Sequence, residues 1–196
     1  ENIYSTLSDN DGQVIFVEEE IKKILHYDAI AIGMGIGTSF EVYKIILYLL
    51  ENYTGNLLID ADGLNSLSRF GIDALSNHKC EVILTPHIKE FSRLSSLEIS
   101  EIKKDYIGHA KNFAKQYDVV INLKNDVSVI TDGNEVFINK NGNAGLAKGG
   151  SGDVLSGITL SLITKKDRLV ERVACGAYIL GKSSELAVEE INEYSC

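Results

Sequence analysis

Apolar residues fall along this chain in short clusters, and their spacing changes from one cluster to the next. Val14–Val17 is a brief apolar stretch that predicts a strand, and Glu18–Leu25 after it has helical spacing. Ala29–Ile32 predicts a buried strand running into Gly33-Met34-Gly35-Ile36-Gly37. Phe40, Tyr43, Ile46, Leu47 and Leu50 then recur at the interval of an amphipathic helix. Leu57–Ile59, Glu81–Leu84 and Val119–Leu123 predict further strands, and Ile99–Phe113 a helix between the last two. Val127–Ile130 and Val136–Ile138 flank Thr131–Asn134 and predict a hairpin. Asp153–Ile163 and Val170–Ile191 predict two closing helices.

Strand, loop and helix in repeated order predict an α/β fold, a mostly parallel central sheet with helices on both faces and a late antiparallel hairpin. No linker, low-complexity tract or internal repeat interrupts the chain, and its single proline is Pro86. One domain over 1–196 is the expectation. Ligands of such sheets sit beyond the C-terminal strand ends. Gly33–Gly37, Asp60–Asn65, Thr85–Glu90 and Lys124–Ser128 all follow predicted strands and are expected to converge there.

Composition narrows the partners. Of 196 residues, 44% are hydrophobic and 24% charged, as in a soluble globular chain, and the net charge of -9 disfavours a general nucleic-acid surface. Apolar runs such as Ile45–Leu50 are too short to cross a bilayer. Cys80, Cys175 and Cys196 are widely spaced, which suits a reducing compartment; a cytoplasmic location is expected.

The densest chemical signal is Asn143–Leu155, where Gly145, Gly149, Gly150 and Gly152 precede Asp153 and an apolar helical run. Clustered glycines let backbone N–H groups approach an anion, and a helix starting there adds its dipole. Asp153 in that position is a candidate base that takes a proton from a substrate hydroxyl; the plainer alternative is a helix cap. Gly33, Gly35 and Gly37 lack the G-x-G-x-x-G spacing, so they read either as a tight turn or as a close approach to ligand, with Thr38 or Ser39 capping the next helix. Asp60 and Asp62 end a strand; Asp62 as a helix cap and the pair as polar support around a substrate or cation are both open. His87 follows Pro86 at a strand end and is a candidate for substrate contact, with Glu90 either holding it or capping with Thr85 or His87. Lys124 ends a buried strand where its ammonium could neutralise a diphosphate. Ser128 is a candidate for the remaining polar atoms of the ligand, and Asp126 works against an anion there.

Taken in order, Gly33–Gly37, Leu58–Asn65, Leu84–Glu90, Leu123-Lys124 and Gly142–Gly157 resemble the ADP/ATP-dependent NAD(P)H-hydrate dehydratase family of the ribokinase-like superfamily. The resemblance implies a ribokinase-like fold and repair of hydrated NADH or NADPH, by phosphorylation of the ring hydroxyl and elimination of phosphate. Carried over, Asp153 is the catalytic and substrate-contacting carboxylate, and Gly37 and His87 contact the hydrated dinucleotide. Lys124, Asn125, Asp126, Val127, Ser128 and Gly152 hold ADP or ATP. Mg2+ balances phosphate charge, with no metal ligand assignable. The chain departs from the family pattern at Met34, at Ile88-Lys89 and at Asn125-Asp126, where the family usually has Pro, Pro-Gly and Gly with small residues. It also lacks the β-α segment with which members usually begin. This predicts an N-terminally incomplete domain with an exposed sheet edge, associating with itself or with a polypeptide that supplies the segment. Two other readings remain: a kinase of a thiazole or pyrimidine alcohol, and a non-catalytic nucleotide-binding module.

Overall fold

A computed structural model describes residues 6–164 and 168–190. It begins with a small antiparallel hairpin, β1 (Asp9–Asn10) and β2 (Gln13–Val14). Asp11 and Gly12 turn it at φ 51° and 76°, the left-handed pair that tight hairpins favour. The expected strand Val14–Val17 is therefore corrected: its first residue pairs outside the main sheet, and the rest leads into α1 (Glu18–Lys22), with Val17 at the N-cap. Packing overrides the strand pattern here, because Phe16 sets its ring 5.6 Å from that of Tyr48. The helix expected over Glu18–Leu25 is likewise shorter than its periodicity.

The main sheet then builds outward strand by strand. β3 (Ala29–Ile32), α2 (Phe40–Asn52), β4 (Asn56–Ile59), α3 (Ala61–Phe70), β5 (Glu81–Leu84) and α4 (Ile88–Ser95) alternate. The single helix expected over Ile99–Phe113 is two, α5 (Ile99–Ile102) and α6 (Tyr106–Tyr117). Asp105 breaks it by capping α6, accepting from the Gly108 N–H at 2.9 Å. β6 (Val120–Leu123), β7 (Ser128–Thr131), β8 (Val136–Asn139), α7 (Ser151–Leu162) and α8 (Leu169–Glu190) complete the order. Ile191, at the expected end of the last helix, and Cys196 lie outside the described residues.

The six strands lie in chain order, β3-β4-β5-β6-β7-β8. β3 to β6 are parallel, while β7 runs antiparallel to both β6 and β8, so the expected hairpin extends the sheet. Alternating side chains divide the core in two. Leu57, Ile59, Val82, Leu84, Ile121 and Leu123 pack with the helices from α1 to α6. Leu58, Ile83, Val120 and Ile130 pack under Leu155 of α7 and Leu169, Val170, Val173 and Ala177 of α8. Both faces are covered, as the strand–helix order predicts. β3 is an edge strand, with an apolar cavity of about 400 Å³ beside it lined by Leu7, Ile21, Ile30, Ile32, Met34 and Ile36.

Candidate functional site at the C-terminal strand ends

The sequence-predicted loops meet at one rim. Gly33 follows β3 at φ 121°, and a Cβ there would fall 1.9 Å from the Asp60 carbonyl oxygen, so only glycine allows this approach. Its carbonyl accepts from the Asp62 N–H at 2.9 Å, and Asp62 Oδ2 accepts from the Gly37 N–H at 2.9 Å. Of the two expected caps for α2, Ser39 is the one used: its Oγ accepts from the Val42 N–H at 3.3 Å. Asp60, and not Asp62, is the N-cap of α3, accepting from the Ala61 N–H at 2.8 Å. Asp62, two residues on within the first turn of α3, leaves the cap to Asp60 and bonds the glycine loop instead. Ala61 has φ 47°, a left-handed conformation costing a non-glycine residue about 1–2 kcal/mol, held in place by this web of bonds.

His87 caps α4. Its Nδ1 accepts from the N–H groups of Lys89 and Glu90, both at 3.1 Å, and the Glu90 carboxylate accepts from the His87 N–H at 2.8 Å, a reciprocal capping box. Glu90 therefore fills both expected roles, since its Oε1 also lies 3.5 Å from His87 Nε2. Glu90 is buried, and half of the imidazole it holds faces solvent. Pro86, just before it, accepts through its carbonyl from the Lys124 N–H at 2.8 Å, bringing the β5 and β6 ends together.

Lys124 turns inward. Its Nζ lies 3.1 and 3.3 Å from the two oxygens of Asp60, whose side chain is only 4% exposed, and Ser156 of α7 donates to Asp60 Oδ2 at 3.2 Å. A Cβ on Gly152 would sit 3.7 Å from Asp60 Oδ2 and 3.8 Å from Lys124 Nζ, so the first turn of α7 covers this pair. Strand registers extend the polar patch: Asp60, Thr85 and Asn122 are the next neighbours across β4, β5 and β6 on the α7 face. All three are buried, and the Thr85 hydroxyl and the Asn122 amide lack a protein hydrogen-bond partner.

Asn125, Asp126 and Val127 form the exposed turn from β6 to β7, with Ser128 opening β7. Behind the turn, Tyr106 donates its hydroxyl to the Leu123 carbonyl at 3.0 Å. Burial, and then the Asp126 carboxylate, push the Tyr106 phenol above its ordinary value, so it remains a donor. Asp153 is exposed in the first turn of α7. The cap alternative for it is ruled out: Gly150 holds the N-cap at φ 92°, and no side chain accepts from the first amides of this twelve-residue helix. The Ser151 N–H donates to the Lys148 carbonyl at 3.5 Å, so the Gly152 and Asp153 amides, with the dipole behind them, are the ones available to an anion.

The residues that sequence reasoning did not weigh are Ser156 and Asn122, both within patterns that read as ordinary core. Period-2 alternation through Val120, Asn122 and Lys124 was the available signal. Among the described residues no group of three His, Cys, Asp or Glu could hold a metal ion, and no helix is long and apolar enough to cross a membrane.

Known proteins resemble this chain in sequence and in fold. The family profile described as NAD(P)H-hydrate dehydratase matches residues 5–195. The bifunctional NAD(P)H-hydrate repair enzyme Nnr of Thermofilum pendens is 32% identical over 164 residues, which is 83% of this chain and 31% of that protein. The ADP-dependent (S)-NAD(P)H-hydrate dehydratase of Neisseria meningitidis is 29% identical, over 87% of this chain and 59% of its own length. The chain thus spans less than two thirds of these relatives. Among solved structures, the Bacillus subtilis ADP/ATP-dependent NAD(P)H-hydrate dehydratase co-crystallised with ATP/Mg2+ superposes with a TM-score of 0.77 at 30% identity, covering 90% of this chain and 64% of that one. Hydroxyethylthiazole kinase from Pyrococcus horikoshii shares the fold, with a TM-score of 0.70 at 20% identity. The architecture is ribokinase-like, and the chain belongs to the NAD(P)H-hydrate dehydratase family.

Proposed function

We propose that the chain carries the site of an ADP-dependent (S)-NAD(P)H-hydrate dehydratase. The observation that carries this reading is Asp153, exposed in the first turn of a helix with uncapped amides and next in sequence to Gly152, which lies over the Lys124–Asp60 pair. A carboxylate so placed takes the proton of the hydroxyl on the hydrated nicotinamide ring. The alkoxide oxygen attacks the terminal phosphorus of ADP and AMP leaves. The C–O bond of the new ester then breaks with release of phosphate, and loss of a proton from the adjacent ring carbon restores the double bond. Hydroxide is a poor leaving group and phosphate a good one, which is why a nucleotide is consumed.

Gly152 and the neighbouring amides of α7 would hold the transferred phosphate, with Lys124 as its counter-ion. The turn Asn125–Ser128 would hold the rest of the nucleotide. Gly37 and the solvent-facing edge of His87 would contact the dinucleotide. Mg2+, an ion that binds largely through phosphates and waters, would neutralise phosphate charge. The analogy with the B. subtilis enzyme, crystallised with ATP/Mg2+, supports this reading.

The test is absorbance in the reduced-nicotinamide band after mixing hydrated NADH, ADP and Mg2+ with the protein. Recovery of absorbance together with AMP and phosphate is expected. Asp153→Asn should fold normally, since no described contact holds that side chain in place, and should lower kcat by about 10²-fold or more. Unchanged turnover would remove the base from the mechanism. A phosphorylated alcohol that accumulates without dehydration would assign the chain to the kinases of this fold instead.

A further inference from the structure

Beside the Gly37–His87 rim, α3 and α4 enclose an open polar cleft of about 730 Å³. Asn65, Ser68 and Arg69 line it from one face of α3, and Ser92 and Arg93 from α4; the single carboxylate is Glu98. Thr38, the residue after Gly37, forms part of its wall, so one end of the cleft adjoins the glycine loop, where the dinucleotide is proposed to bind, while Ser92 and Arg93 lie in the second turn of α4 beyond the His87 cap. Both guanidinium groups are oriented in advance. Arg93 Nη1 donates to Asn65 Oδ1 at 2.6 Å, leaving its other N–H groups for a ligand, and Arg69 stacks 5.1 Å from the Phe70 ring centroid. Neither arginine forms an ion pair with a described residue. In a chain of net charge -9 this local cationic excess runs against the average. Two forked cations are suited to a phosphate, whose several oxygens accept from both. The Ser68 and Ser92 hydroxyls are spent on the Asn65 and Leu97 carbonyls, which leaves those of Thr38 and Ser96 as the further donors of the lining.

We propose that this cleft binds a phosphate group of the dinucleotide substrate, anchoring the half of the molecule remote from the reacting ring. The inference rests on the dehydratase reading, because that reading places the ring at Gly37, His87 and Asp153. Anchoring a remote group lets its binding energy position the reacting one. Two phosphates of the same ligand have this chemistry, the bridging diphosphate and the 2′-phosphate found only in the NADP form.

Titration calorimetry with NADPH, NADH and ADP, on the chain and on Arg69→Gln/Arg93→Gln, tests it. The double variant should bind NADPH at least about tenfold more weakly, a loss the size of one charge-assisted hydrogen bond, with ADP unaffected. Equal weakening for NADH identifies the diphosphate, and an effect on NADPH alone identifies the 2′-phosphate. Ser68→Glu keeps both arginines and should weaken the same ligands by repulsion, which covers the case in which the double variant fails to fold. Unchanged affinity for both dinucleotides in Ser68→Glu and in a folded double variant would overturn the proposal, as would a loss confined to ADP. If the two arginines prove to hold NADPH while the protein dehydrates nothing, the activity falls and the cleft stands. Turnover with an unchanged KM in the double variant gives the reverse.

Discussion

Lys124→Met is the perturbation that most directly tests how the site is held together. The substitution keeps the aliphatic stem and removes the ammonium, leaving the buried Asp60 carboxylate without its counter-ion. Breaking a fully buried pair in this way costs about 3–5 kcal/mol. Here the loss is smaller for two structural reasons. Asp60 keeps the Ala61 N–H at 2.8 Å and the Ser156 hydroxyl at 3.2 Å, and Lys124 is 23% exposed, so solvent already screens the pair. The expected destabilisation is about 2 kcal/mol, a fall in Tm of about 4–8 °C for a chain of this size. Thermal unfolding followed by circular dichroism, backed by urea titration, measures it. The companion Asp60→Asn/Lys124→Met should recover at least about 1 kcal/mol relative to additivity, since a neutral amide needs no counter-charge. A single variant within about 0.5 kcal/mol of the parent, with additive behaviour in the double, would refute the reading that this ion pair holds the site together.

Three further outcomes are expected. Gly33→Ala should destabilise by more than about 3 kcal/mol or prevent folding, because its methyl would collide with the Asp60 carbonyl; an ordinary melting curve would contradict the close approach. Thr85→Val, an isosteric change at a buried hydroxyl with no protein partner, should leave stability equal or raise it by about 1 kcal/mol; a loss beyond about 1 kcal/mol would show that the hydroxyl is satisfied. Glu20, Glu41 and Glu185 have their pKa values lowered, chiefly by hydrogen bonds from Ser8, Lys44 and Lys182 respectively. Their stabilisation is therefore complete above the ordinary glutamate value of about 4.3 and is lost as pH falls through the lowered folded values. Melting temperatures taken from pH 7 downward should drop across that window, and Glu185→Gln should flatten part of the fall.

Strong local signals made most of the architecture legible. The apolar runs at Ala29–Ile32, Leu57–Ile59, Glu81–Leu84 and Val119–Leu123 are strands within a residue or so of their expected bounds. The amphipathic helix after the glycine loop and both closing helices also form as their spacing predicts. Errors arose where a short-range competitor outweighed periodicity. Asp105 captured a cap and split one helix, and the Asp11-Gly12 turn drew Val14 into a separate hairpin. Helices α3 and α4 were hinted at only through Asp62 and Glu90, because their polar faces dilute the apolar stripe.

What the sequence determined by itself is the run of main strands, the rim on which the loops gather and the acidic residue at the start of α7, since these depend on residues close together in the chain. Tertiary structure alone decided which charges meet. Lys124 and Asp60 are 64 residues apart, Ser156 and Asp60 96, and Arg93 and Asn65 28. Such partners are chosen by strand order and helix packing, which place distant residues side by side, and a carboxylate cut off from water must take whichever cation that packing delivers.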